Sequence, residues 1–151
     1  MSKEDLDSRR ETLLRKPYRI IDILPGRTPA RFAAAYSALE KHFFRDPTAD
    51  MPYMRFLNLI VKLGCYCDIA VCRPDDEKWL CSPEPEYLLE RFRELAETRR
   101  GGLHFLIDGG RLLVTLDAGD LYMTAYGRSP RLMRRVKQLA RSEGLFVWKG
   151  A

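Results

Sequence analysis

Histidine is the scarcest chemistry-bearing residue in this 151-residue chain. There are only two, His42 and His104, which excludes a site built on several imidazoles. Cysteine is confined to Cys65, Cys67, Cys72 and Cys81. Their spacing, C-x-C and then x4 and x8, lacks the paired C-x2-C knuckles that wrap structural zinc. In an extended strand Cys65 and Cys67 share one face and Cys72 takes the other, so no metal site is expected. The four read as small buried hydrophobes, with Cys81 the most exposed. No apolar run approaches the ~18 residues of a membrane span. The first residues, Met1-Ser2-Lys3-Glu4-Asp5, carry acids where a secretory signal has bases and then an apolar stretch. A cytoplasmic protein with reduced thiols and no membrane partner is expected.

Catalytic and phosphate-binding signatures are also missing. The chain has no G-x-x-x-x-G-K, G-x-G-x-x-G, G-x-S-x-G or H-E-x-x-H motif and no EF-hand loop. Gly101-Gly102 and Gly109-Gly110 read as a helix stop and a hairpin turn. No cofactor and no catalytic residue are expected. There is no internal repeat, low-complexity tract or interdomain linker.

What is present is an ordinary globular composition, 46% apolar and 31% charged, which excludes a mainly disordered chain. Residues 1–16 mix five bases with four acids and read as a mobile N-terminal arm or a short surface helix, ahead of a single α+β domain over residues 17–151. Tyr18 to Leu24 is rich in strand formers and stops at Pro25-Gly26. A helix is expected over 29–44, with Phe32, Tyr36, Leu39 and Phe43 as its apolar stripe and Asp46-Pro47 as its stop. A deeply buried helix over 52–63 and a buried strand over 65–72 follow. Residues 73–85 read as a long loop. Ser82 and Pro83 then open a helix whose apolar face holds Leu88, Phe92 and Leu95.

Residues 103–107, 112–116 and 121–126 form an antiparallel meander, joined by the turn-forming Asp108-Gly109-Gly110-Arg111 and Asp117-Ala118-Gly119-Asp120. Leu103, Phe105 and Ile107 share one face, as do Leu112, Val114 and Leu116, and then Leu121, Met123 and Ala125. Ser129-Pro130 opens a last helix, and 145–148 is a final strand. The fold class is an α+β sandwich with about four helices on one face of a mainly antiparallel sheet.

Three stretches, Tyr18-Arg-Ile-Ile-Asp-Ile-Leu-Pro25, Leu63-Gly-Cys-Tyr66 and Ser142-Glu-Gly-Leu-Phe-Val-Trp148, resemble a set of small bacterial cytoplasmic proteins of unknown function. The likeness covers most of the chain from residue 17. It implies a bacterial cytoplasmic protein, and it carries over no activity and no functional residue.

The strongest functional signal is charge segregation. The net charge is +5, yet residues 128–151 alone hold seven bases against the single acid Glu143, leaving the rest of the chain at −1. On the last helix Leu132, Val136, Leu139 and Ala140 form the core stripe. Arg131, Arg134, Arg135, Lys137 and Arg141 fall opposite. Like charges on one face repel unless something anionic lies against them. The leading expectation is therefore a non-enzymatic interaction or regulatory module that binds an acidic protein partner through this face. The first alternative is nucleic acid on the same face, although no helix-turn-helix, RNP-like strand or zinc finger accompanies it. The blander reading is a solvated face, salt-bridged to Glu84, Glu86, Glu90 or the Asp75-Asp76-Glu77 run.

Tyr122, Thr124 and Tyr126 share the sheet face opposite the meander core. If helices cover one face only, this second face is open to a ligand or to a homodimer partner. A third reading is a small-molecule pocket or enzyme near His104 and Tyr122, with a Cys65–His104 dyad as the conceivable chemistry.

Overall fold

The computed structural model describes residues 1–45, 52–76 and 78–150. The expected Asp46-Pro47 stop and Glu77 lie outside them. The elements are α1 (Lys3–Leu13), β1 (Tyr18–Asp22), a 3-10 turn (Ala30–Phe32) running into α2 (Ala33–Phe44), α3 (Pro52–Leu63), β2 (Ile69–Cys72), β3 (Trp79–Cys81), α4 (Pro85–Thr98), β4 (Gly102–Ile107), β5 (Leu112–Asp117), β6 (Tyr122–Tyr126), α5 (Pro130–Ser142) and β7 (Phe146–Lys149). The seven strands form one fully antiparallel sheet in the order β3-β2-β4-β5-β6-β1-β7. The α+β class holds. No described helix is long and apolar enough to cross a membrane.

The meander is β4-β5-β6, and its alternation is the expected one. Leu103, Phe105, Ile107, Leu112, Val114, Leu116, Leu121, Met123 and Ala125 all enter the main core, where α3, α4 and α5 supply Phe56, Leu59, Ile60, Phe92, Leu132 and Val136. At the first hairpin, Asp108, Gly109 and Gly110 have φ of 50°, 69° and 94°. That left-handed run is why Asp and Gly occupy the turn.

The N-terminal segment is a helix docked on the domain. Ser2 and Asp5 form a capping box, each side chain bonded to the other's backbone N–H at 3.2 Å. Leu6 and Leu13, seven residues apart, fall on one face of α1 and are buried with Ala70, Leu106 and Leu113 of the second sheet face, flanked by Trp79 and Tyr126. The Trp79 indole N–H donates to Asp7 Oδ1 at 2.7 Å and pins the helix to β3. Of the two readings offered for this segment, the helix is the one seen, held by two buried leucines and an indole contact despite its charged composition. Leu6→Ala is expected to cost about 2 kcal/mol, read as a lower urea midpoint with an unchanged slope. A loss below half of that would mean that α1 contributes little to the fold.

Other expectations change locally. β3 lies inside the segment read as a loop and pairs with β2 at Ala70↔Cys81, Val71↔Leu80 and Cys72↔Trp79. Ser82 does not cap α4. Its N–H closes the sheet edge on Ile69 O at 2.8 Å, and α4 starts at Pro85 after Glu84. The expected strand over 65–72 shrinks to Ile69–Cys72, because Tyr66 and Cys67 N–H groups turn back onto Leu63 O to finish α3. In the α2 region Phe32 is exposed, Tyr36, Leu39 and Phe43 are half-buried, and the buried residue is Phe44.

Candidate functional site

α5 begins as its sequence demands. The Ser129 hydroxyl accepts the Leu132 N–H at 3.3 Å, and Pro130 takes the first turn, where no N–H is needed. Leu132, Met133, Val136 and Ala140 are buried, with Leu139 packed at the margin of the core. That packing fixes the rotation of the helix. It turns Arg131, Arg134, Lys137 and Arg141 outward and leaves Arg135 half-buried. The Arg135 guanidinium lies 4.1 Å from the Tyr66 ring centre and reaches Gln138 Oε1 at 3.4 Å.

Among the described residues, the candidate acids Glu84, Glu86, Glu90, Asp75 and Asp76 form no ion pair with this face, and neither does Glu143. Glu143 accepts from Asn58 at 3.0 Å and pairs with Lys62 of α3. Glu90 pairs with Arg91, and Asp76 pairs with Arg73 at 3.0 Å. Among the described residues, none of the five cations of the α5 face forms an ion pair with an acid. The basic surface also extends beyond the helix. A groove of about 430 Å³ beside the start of α5 is lined by Arg19, Arg128, Arg134 and Lys137, with no acidic residue in its lining. Strand β7, packed beside α5, is an edge strand of the sheet and exposes Phe146.

The second sheet face is not bare. Its β3-β2-β4-β5 half lies under α1. Its β6-β1-β7 half floors a cavity of about 480 Å³, walled by residues 26–30 and the first turns of α2. Tyr122 lines this cavity, and Tyr126 sits against Tyr18 with ring centres 5.5 Å apart. Thr124 lies between them, opposite Ile20 and Thr115. All three are half-buried. Among the described residues, this face is shared between a helix and a cavity.

His104 and Tyr122 do not converge. β5 lies between their strands, and His104 faces the α1 side, opposite Thr115 and Cys72. Burial, with the Arg10 cation adding to it, pushes the His104 imidazole down to about 4, so it is neutral at pH 7. Its Nδ1 is buried without a hydrogen-bond partner among the described residues. Arg10 spans this patch, donating to Cys72 Sγ at 3.2 Å and lying 5.5 Å from the Trp79 ring centre. His42 sits in the last turn of α2, edge-on to Phe43.

The cysteines part company as well. Cys72 is buried, Cys67 is half-buried, and Cys65 and Cys81 are exposed, so Cys65 is not the buried hydrophobe expected. Cys65 lies in the turn after α3 while His104 lies within β4 on the α1 side, so the two are not brought together as a dyad. Burial raises the Cys67 and Cys72 thiols above their ordinary range, the opposite of an activated nucleophile. Among the described residues, no three His, Cys, Asp or Glu side chains gather as a metal-ligand set.

The residues that line the cavity with Tyr122 escaped the sequence reading. They include Asp22 of β1, Tyr36 of α2 and Trp148 of β7. The one signal was Asp22 itself, a carboxylate inside a stretch of strand formers. Comparison with protein-family models, curated proteins and solved structures finds no match to this chain.

Proposed function

We propose that the protein is a non-enzymatic interaction module that docks an acidic segment of a protein partner on the basic face of α5. The observation that carries the reading is the unneutralised row of Arg131, Arg134, Lys137 and Arg141, with Arg135 held over Tyr66. A helix face whose cations form no ion pair with any described acid is poised to exchange water for an anion from outside. Arg19 and Arg128 widen the positive field onto the neighbouring groove. The β7 edge and exposed Phe146 supply backbone donors and an apolar contact, which suit an extended peptide better than a phosphate backbone.

The test is fluorescence anisotropy with a glutamate-rich 12-residue peptide and with DNA and RNA oligomers of matched charge, each at several salt concentrations. Wild type is expected to bind the peptide. The double reversal Arg134→Glu and Arg135→Glu should weaken it by about tenfold or more. Peptide binding unchanged by the double reversal would sink the reading. Tighter binding to the oligomers, falling steeply with salt, would replace it with nucleic-acid recognition.

A further inference from the structure

The cavity on the second sheet face holds a buried carboxylate and four aromatic residues. Antiparallel pairing places Asp22 opposite Tyr122 and Ile20 opposite Trp148, so strands β6, β1 and β7 bring these side chains to one floor. Tyr18 stands at the far end of β1 on the same face, and Tyr36 comes in from α2 as the wall. About 480 Å³ is the size of a small-ligand site.

Asp22 is the unusual member. It is 4% exposed, and among the described residues only Thr115 shares its status as a buried polar side chain. Its Oδ1 accepts the Leu24 N–H at 3.2 Å. No described lysine, arginine or histidine forms an ion pair with it, and Arg27, which also lines the cavity, is itself exposed. Desolvation raises its pKa, against the pull of the Leu24 and Ile23 N–H groups and the Trp148 indole. A carboxylate taken out of water without a cation is costly to keep charged. Burial, with Asp22, Glu40 and Asp120 adding to it, pushes the Tyr36 phenol up to about 12. The Trp148 indole N–H donates to Leu24 O at 3.2 Å, which fixes the ring beside the carboxylate. Aromatic faces around one carboxylate that has hydrogen-bond donors but no described cation partner complement a positive charge carried on an apolar body.

We propose that this cavity binds a small organic cation, an amine or quaternary ammonium compound, with Asp22 as counter-ion and the rings of Tyr18, Tyr36, Tyr122 and Trp148 as its walls. The cavity shares only Tyr18 with the groove beside α5, and the proposal stands whether or not that face binds a partner.

The chain contains two tryptophans, Trp79 and Trp148. Trp79 lies under α1 and Trp148 lines the cavity. Their two indole N–H resonances therefore distinguish this cavity from other sites in the intact protein, with Trp148→Phe making the assignment. Choline and tyramine are titrated against their neutral counterparts, 3,3-dimethylbutan-1-ol and 4-ethylphenol. At least one cation is expected to move the Trp148 signal saturably, leave Trp79 in place, and bind about tenfold or more tighter than its neutral counterpart. Asp22→Asn should remove that preference while leaving the neutral counterpart's affinity alone. If that variant does not fold, Tyr36→Ala, on the wall, serves instead and should weaken the cation by several-fold. Equal affinity for cation and neutral counterpart, a stronger response to 4-hydroxyphenylacetate than to tyramine, or no saturable shift with any probe would overturn the proposal.

Discussion

Replacing Phe105 by alanine is expected to lower the folding free energy by about 3–5 kcal/mol. Phe105 is 0% exposed and sits in β4, near the middle of the sheet. Its ring stacks on that of Phe92 from α4, with centres 6.1 Å apart and planes 26° apart. The truncation removes apolar area and a ring pair, and it leaves a void that neither strand nor helix can close without moving. Domains of this size are stable by roughly 5–15 kcal/mol, so the variant should be partly unfolded well below the wild-type urea midpoint. Leu80→Ala on edge strand β3 is the control. Leu80 is 42% exposed, and its loss should stay within about 0.5 kcal/mol. If Phe105→Ala cost no more than Leu80→Ala, the main core would not lie between α4 and the centre of the sheet.

The placement of Phe105 was legible because it rests on local chemistry. Alternation within 103–107 sets its face, and an Asp-Gly-Gly turn sets the hairpin that follows. The second layer was legible only in part. Leu106 and Leu113 fall out of phase with the core residues of their strands, yet both are buried. Apolar residues in both phases mark a strand covered on two sides. The cover is α1, whose two buried leucines are diluted by charge, so no strong periodic stripe announces it. β3 was hidden for a related reason. It has three residues, two of them exposed, and it exists through its pairing with β2, which no local pattern encodes.

The basic face was legible for the same reason as the meander. One helix carries all five cations, and the period of 3.6 residues sorts them from Leu132, Val136 and Ala140 without knowledge of the fold. The cavity had no such route. Its floor needs β1 to sit between β6 and β7, so that Asp22, Tyr122 and Trp148, distant in sequence, become neighbours. Pairing a first strand with the last two is a choice of topology that no local pattern encodes. His104 shows the converse error. It and Tyr122 alternate onto one sheet face, but α1 claims one side of that face and the cavity the other, so sharing a face did not bring them into one site.

That position under α1 makes His104 a pH-dependent liability, and His104→Gln should show it. The imidazole titrates at about 4 in the folded chain, against an ordinary 6.5. As the pH falls through 6.5 the unfolded chain takes up a proton and the folded chain does not. Stability therefore drops between about pH 6.5 and pH 4 and levels off below, where both states are charged. For a shift of this size in a half-buried ring the loss is on the order of 2–3 kcal/mol. Asp120, pushed up to about 6 by burial and by Asp117 and Glu40, works in the opposite direction. Its folded form holds a proton in the same window that the unfolded form has released, so it gains stability as the pH falls through about 6. Asp22, also raised by burial, has the same sign. The wild-type curve is the sum of these, and the difference between wild type and His104→Gln isolates the imidazole, because both proteins keep the carboxylates. Urea denaturation at pH 7.0 and pH 4.5 should find the variant losing ~2 kcal/mol less than wild type on acidification. Parallel losses in the two proteins would place His104 in water and would mean that α1 does not cover it.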